Sequence, residues 1–480
     1  MKKLIIPPFP AGLTQTVDRQ AQRVQGEEPH DAAKEGVRLS SDWKLYADGV
    51  EVPVYTTPVT RGGPHSFARL SWEGDEPVSF VAVRDGGLNS AELLPSSYGL
   101  THEVCGDEVR FSICHNGHVT ILVDGDIQQP LTISIDRVVE EKKPEDIKGL
   151  YFGPGLHKLD YFDFEDGDTL YLAAGAIVTM QPHPADEQPL NPKDWAGKAN
   201  YRGAIVANGK KHVAIEGYGL LDFSLLDWHE RNPIGFTGCQ DVRVQGVTLV
   251  NAEAWNLTFR DCEDVLADQV HIYGYRENSD GIDVVSTQRA VVQDCFIRTG
   301  DDAVCVKAMV RGVCGGKDIL CQRCVVWNDK VRCFGIAAES VEDIADVTFR
   351  DCDVIRSYAN WTLELGALVV YISDHALVQN VLFDDIRIEH EVHLATHVHI
   401  TKDFWAKTKD AGNIRNVTFR NIDVKPSIGS RVGGYDAEHC VVGVHYENFS
   451  VAGKKAESLE EGLISVCDHA HDVTITTVSV

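Results

Sequence analysis

The chain has 480 residues, 43% hydrophobic and 24% charged, with a net charge of −27. This composition is globular, and the length exceeds one ordinary core, so two domains or one domain with an elongated repeat array are expected. The acidic balance argues against nucleic acid and anionic membranes as partners, and against polyanionic sugars unless a local basic pocket receives them.

The opening "MKKLIIPPFPAGL" is too short in apolar residues for a secretory signal, and no run reaches the length of a transmembrane helix. Thirteen cysteines, an odd number without the spacings of a disulfide scaffold, fit reduced thiols and a cytoplasmic location. Residues 1–145 hold short alternating runs such as "PVSFVAVRDG" and "EVRFSICHNGHVTILVDG", punctuated by Asp-Gly and Asn-Gly. That pattern predicts an antiparallel β-sandwich. The charged stretch "EEKKPEDIKG" reads as a linker, so the second domain is assigned to 146–480. Residues 183–200 form a polar, proline-bearing loop.

A repeat then appears, with the frame apolar-x-apolar-x-x-apolar-x-apolar. It starts with Val213, Ile215, Tyr218 and Leu220 and returns, for example, at Val265, Ala267, Val270 and Ile272 and at Ile319, Cys321, Cys324 and Val326. Ten frames can be counted, the last being Val473, Ile475, Val478 and Val480, at an average interval of about 29 residues. Each frame is two short strands with a bend, and no long helical period intrudes. This predicts an all-β, right-handed parallel β-helix (a pectate-lyase-like solenoid) behind the N-terminal sandwich. A propeller blade would need a longer repeat. Insertions after Arg356 and Glu389, rich in Trp and His, are expected on a binding face. The apolar last frame leaves an edge that the sandwich or a second copy would cover, so a homo-oligomer is one expectation.

Cys314, Cys321, Cys324 and Cys333 are not read as a zinc site, because Cys321 and Cys324 fall on frame positions as small core residues and the Cys-x-x-Cys has no matching second pair. No cofactor or metal is called for. Two acidic stretches, "NSDGID" from Asn278 and "TGDDAVCVKA" from Thr299, begin about one repeat apart. On stacked coils Asp280 would neighbour Asp301, with Asp302 beside it. Carboxylates this close cannot all ionise freely, and one protonated and one ionised carboxyl group suit glycoside hydrolysis. A turn role accounts equally well for any one aspartate taken alone. Trp255 and Phe334 flank the aspartates and are candidate sugar platforms, against a role in wall packing. Asn278, Arg276 and Lys307 are candidate sugar contacts; turn capping, an ion pair with Glu277 and a solvated strand position are their alternatives. His393, His397 and His399 alternate like one strand face and could line a groove.

The two acidic motifs resemble the Asn-Thr-Asp and Gly-Asp-Asp motifs of glycoside hydrolase family 28, the polygalacturonases, and the related family 49 of dextranases and isopullulanases. The resemblance covers roughly residues 150–450 and is most specific between Asn278 and Lys307. It implies an inverting hydrolase with Asp301 as general acid and Asp280 and Asp302 activating water. Inversion implies carboxyl groups roughly 6.5–9.5 Å apart. Two family 28 elements are missing: Cys333-Phe334-Gly335 stands where a Gly-His-Gly would, and no Arg-Ile-Lys follows. Trp327 and Asn328 with an N-terminal sandwich resemble family 49. The expected substrate is therefore a neutral glucan- or fructan-like oligosaccharide, with Trp327 among its contacts. A galacturonan-type hydrolase, a glycan lyase or intramolecular sugar transferase, and a non-enzymatic glycan binder are the alternatives.

Overall fold

The computed structural model describes residues 2–13, 36–274, 276–359 and 365–477. The N-terminal part forms a seven-stranded and a five-stranded sheet around a core that includes Trp43, Leu70, Phe80, Phe111 and Ile133. Pairing is antiparallel except where Asp126–Asp136 lies parallel to His65–Glu73. Strand His65–Glu73 is buried on both faces up to Glu73. Ala68, Leu70 and Trp72 enter the sandwich core, while Phe67 on the other face joins an apolar layer with Tyr273, Phe296 and Trp327. That layer docks the sandwich against the flank of the second domain.

The second domain is a parallel β-helix. Each coil contributes one strand to an 11-stranded sheet and usually two to a 21-stranded sheet that bends around the core. The repeat positions stack in register: Ile319 pairs with Val347, then Val381, Val417, Val444 and Val473. From Val242 to Tyr446 these residues are buried in a single interior cluster. The bends use left-handed backbone conformations. Asp264 (φ 59°), Asp318 (φ 55°) and Asn380 (φ 57°) each precede the first apolar residue of a frame, and Asp351 (φ 51°) and Asn421 (φ 54°) the third. Asp and Asn tolerate this region better than other side-chain-bearing residues. Adjacent corners also bond to each other, as where Asn380 Nδ2 donates to Asp346 Oδ1 at 3.0 Å.

Two expectations shift. The first frame slips by one residue at Gly217-Tyr218-Gly219. Leu221 takes the inward place, while Tyr218 turns out and its hydroxyl donates to Val139 O at 2.7 Å. The sandwich covers the side of the solenoid rather than its final coil; Val478 and Val480 lie outside the described residues. Cys321 and Cys324 sit in the interior with their sulfurs 3.8 Å apart, while Cys314 is exposed and faces Asp261.

Candidate active site

Asp280 ends the turn before strand Ile282–Val285, and Asp301 and Asp302 end the turn before Val304–Ala308. The strands are neighbours in register, Ile282 opposite Val304 and Val285 opposite Lys307. Main-chain bonds lock the turns in the same stack: Gly281 N donates to Asp302 O at 2.7 Å, and Ala303 N to Arg332 O at 2.9 Å. Two buried asparagines brace them. Asn256 Nδ2 donates to Asp280 O at 2.9 Å; Asn328 Nδ2 donates to Asp301 O and to Arg332 O, the latter at 2.9 Å. Asp280, Asp301 and Asp302 converge, each offering a carboxylate oxygen within 4.8 Å of the others.

The reason for the short spacing is cationic. Lys307 Nζ lies 2.7 Å from Asp280 Oδ2, 2.8 Å from Asp283 Oδ1 and 3.9 Å from Asp302 Oδ2. Arg332 Nε lies 2.7 Å from Asp302 Oδ1. All of these side chains are buried. Burial opposes charge on Lys307, but Asp280 and Asp283 outweigh it and push its pKa well above the usual lysine range. Burial pushes the Asp301 carboxyl well up, and the charges of Asp280 and Asp302 add to this. Burial also pushes Asp280 up to about 6, with Lys307 opposing. Burial likewise pushes the Asp283 carboxyl well up, with Lys307 opposing, so the patch mixes carboxyl groups that favour the proton with others set beside cations. Asp280 Oδ1 is buried and accepts no hydrogen bond among the described residues.

Around this patch lies a cavity of about 190 Å³. Its lining includes Trp255, Asn278, Asp280, Asp301, Asp302 and Lys307, six of the nine residues expected from sequence. Lys307 Nζ sits 3.7 Å from the centroid of the Trp255 ring, so this tryptophan both packs on the cation and faces the pocket. The other three are elsewhere. Arg276 is fully buried and donates to Leu226 O and Ser224 O, bracing the loop beneath the site. Trp327 is buried against the sandwich, with Arg298 3.8 Å from its ring centroid and its Nε1 donating to Asp329 Oδ1 at 2.8 Å. Phe334 points into the solenoid core and packs on Phe349. In each case an aromatic or cationic residue near the motif was taken for a sugar contact when burial and packing claim it. His397 and His399 follow the same sheet, aligned with Val369 and Tyr371 of the preceding coil.

Sequence reasoning missed Trp195, Trp405, Lys330, Arg332, Glu339 and Lys407, which also line the pocket. Trp405 belongs to the insertion after Glu389, expected on a binding face, whereas Trp195 belongs to the loop at 183–200, which was not expected there. The "NWTLE" segment of the other insertion lies outside the described residues.

A β-helix carrying a paired-carboxylate pocket on its sheet face defines a class of carbohydrate-active folds. Residues 228–458 match the model for Glycosyl hydrolases family 28. The polygalacturonase QRT2 of Arabidopsis thaliana is 24% identical over 255 residues, 48% of this chain and 54% of that protein. A polygalacturonase of Chamaecyparis obtusa is 32% identical over 147 residues, 28% of either chain. The chain spans about half or less of the length of these curated relatives. Among solved structures, Dex49A from Penicillium minioluteum shares the fold with a TM-score of 0.54 and 13% identity, over 96% of this chain and 97% of that one. The exopolygalacturonase of Thermotoga maritima gives 0.52 and 17%, over 68% and 83%. Over residues 228–458 the chain thus resembles glycoside hydrolase family 28, and it shares the parallel β-helix fold with Dex49A.

Proposed function

We propose that this protein hydrolyses a glycosidic bond beside a uronic acid, in a galacturonan-type oligosaccharide. The observation that carries the reading is the convergence of Asp280, Asp301 and Asp302 in one pocket, with Lys307 beside Asp280 and Arg332 beside Asp302; burial and the neighbouring carboxylates favour the protonated form of Asp301. Asp301 gives its proton to the leaving glycosidic oxygen as the anomeric C–O bond breaks. A water held by Asp280 and Asp302 bonds to the anomeric carbon and passes its proton to them. Attack by this water on the face opposite the leaving oxygen inverts the anomeric centre.

The acidic substrate is supported by the lining. The net charge of −27 would repel a polyanion, but Lys330, Arg332 and Lys407 gather at this pocket. Lys407 is an exposed lysine in the pocket lining, suited to a sugar carboxylate. The cations replace the missing Arg-Ile-Lys from different coils, which moves the reading from the neutral sugar expected from sequence to an acidic one. The matched curated relatives are polygalacturonases, which agrees. A panel of oligogalacturonides and neutral gluco- and fructo-oligosaccharides, read by reducing-sugar release, tests the substrate. Release from the neutral panel alone would refute the acidic assignment.

A further inference from the structure

We propose that the site takes chain ends rather than chain interiors, because Trp195 and Trp405 arch over the groove and turn it into a blind pocket. This rests on the hydrolytic reading above. The outer face of the 11-stranded sheet would otherwise offer an open groove along its stacked strands. The Trp195 loop enters strand Ile205–Asn208, and the Trp405 loop leaves strand Leu394–Ile400. In the sheet order these strands are seven steps apart, roughly 34 Å at ~4.8 Å per step. The acid-bearing coils lie between them. Even so, the two indole rings meet, with centroids 5.1 Å apart and planes at 87°. The loops approach from opposite ends of their strands, so the contact crosses the groove.

Both sides of the arch are anchored. Trp195 packs edge-on against His229 at 5.1 Å, and His229 Nδ1 is held by Asp194 at 2.7 Å. Nearby, Trp228 Nε1 donates to Glu277 O at 2.8 Å, tying that wall to the turn that carries Asp280. On the other side Trp405 packs on Ala338, Val369 and Tyr371, which face outward on the coils just beyond the acids. Tyr371 in turn lies against His397 and His399 on the next coil. The cavity beneath, about 190 Å³, is smaller than the ~300–1,000 Å³ of clefts that enclose drug-sized ligands. A polymer threading through would have to part the two indoles; a terminal sugar needs only to enter. Phe404, 78% exposed and 4.9 Å from Trp405, extends an apolar rim at which the next sugar can rest.

The test follows early products from a defined oligogalacturonide and from the same chain capped chemically at both ends. The wild-type protein should release terminal units one step at a time, without mid-chain fragments, and leave the capped chain intact. Trp195→Ala, on an exposed loop, and Trp405→Ala should shift products toward mid-chain fragments and make the capped chain cleavable, with Trp195→Phe retaining the wild-type pattern. Mid-chain fragments from the wild-type protein at first turnover, or equal rates on free and capped chains, would overturn the inference while leaving hydrolysis standing. No cleavage of any chain, by a protein shown to be folded, would overturn the hydrolytic reading and the inference with it.

Discussion

Lys307 Nζ stands 2.7 Å from Asp280 Oδ2 with both side chains buried, and the same ammonium reaches Asp283 at 2.8 Å. One lysine on one coil therefore holds two carboxylates of the preceding coil. Breaking a buried pair by removing one partner costs about 3–5 kcal/mol, because the other charge stays uncompensated. Lys307→Met should destabilise the protein by that order and abolish activity. Adding Asp283→Asn should return part of the stability and none of the activity. Urea denaturation midpoints with parallel activity assays check both.

The pH profile follows from the same cluster. Asp280 must be ionised to accept a proton from water, and burial has raised it from 3.8 to about 6. The kcat/KM should fall about tenfold per pH unit below about 6. Asp301, held well above the usual carboxylate range, stays protonated through this window and sets the alkaline limb. The stability sign is opposite. Between about pH 4 and 6 the unfolded chain ionises Asp280 while the folded one does not, so this group's contribution falls as pH rises. A kcat/KM profile flat from pH 4 to 7 would exclude Asp280 as the water-activating base.

Glu253 offers a stability test outside the chemistry. It is fully buried, neither carboxylate oxygen has a hydrogen-bond partner among the described residues, and burial pushes it to about 8. A folded pKa above the unfolded value of 4.5 means stability is lost as pH rises from about 4.5 to 8. Glu253→Gln should stabilise the protein at pH 8 by of the order of a few kcal/mol, with the gain vanishing near pH 4. Thermal melts of both proteins across that range read the difference.

Arg298 is the polar pin of the domain interface. It is buried, bonds Asp329 Oδ2 at 3.0 Å and His65 Nδ1 at 2.9 Å, and reaches Arg61 O across the junction. Arg298→Met should leave Asp329 unpaired, costing about 3–5 kcal/mol, and loosen the sandwich. Faster proteolysis in the linker at 140–149 would register the loosening; unchanged cleavage would show that the apolar layer alone holds the domains.

The solenoid was legible because its signal is periodic. Each frame residue such as Val347 or Val381 repeats a local pattern that stacking turns into a core. The acid triad was legible for the same reason: Asp280 and Asp302 sit at equivalent places on successive coils, with Asp301 beside Asp302. What could not be read were contacts set by distant loops. Nothing in "KDWAGKAN" says that Trp195 will meet Trp405, and nothing around Lys330 says that it will line one pocket with Lys407. The opposite error placed Trp327 and Phe334 at the site, because sequence neighbourhood does not tell which side of a strand a ring takes. Trp327 turned toward the sandwich and Phe334 toward the core.

The central claim is that Asp301 supplies the proton that breaks the glycosidic bond. The most direct measurement is NMR observation of anomeric protons during oligogalacturonide turnover by the wild-type protein and by Asp301→Asn. The account predicts that the wild-type product first appears with the anomeric configuration opposite to the substrate's. It also predicts that Asp301→Asn loses at least about 10²-fold in rate on the natural leaving group while its melting temperature is no lower than wild type. Full activity in a folded Asp301→Asn, or first product with retained configuration, would contradict it.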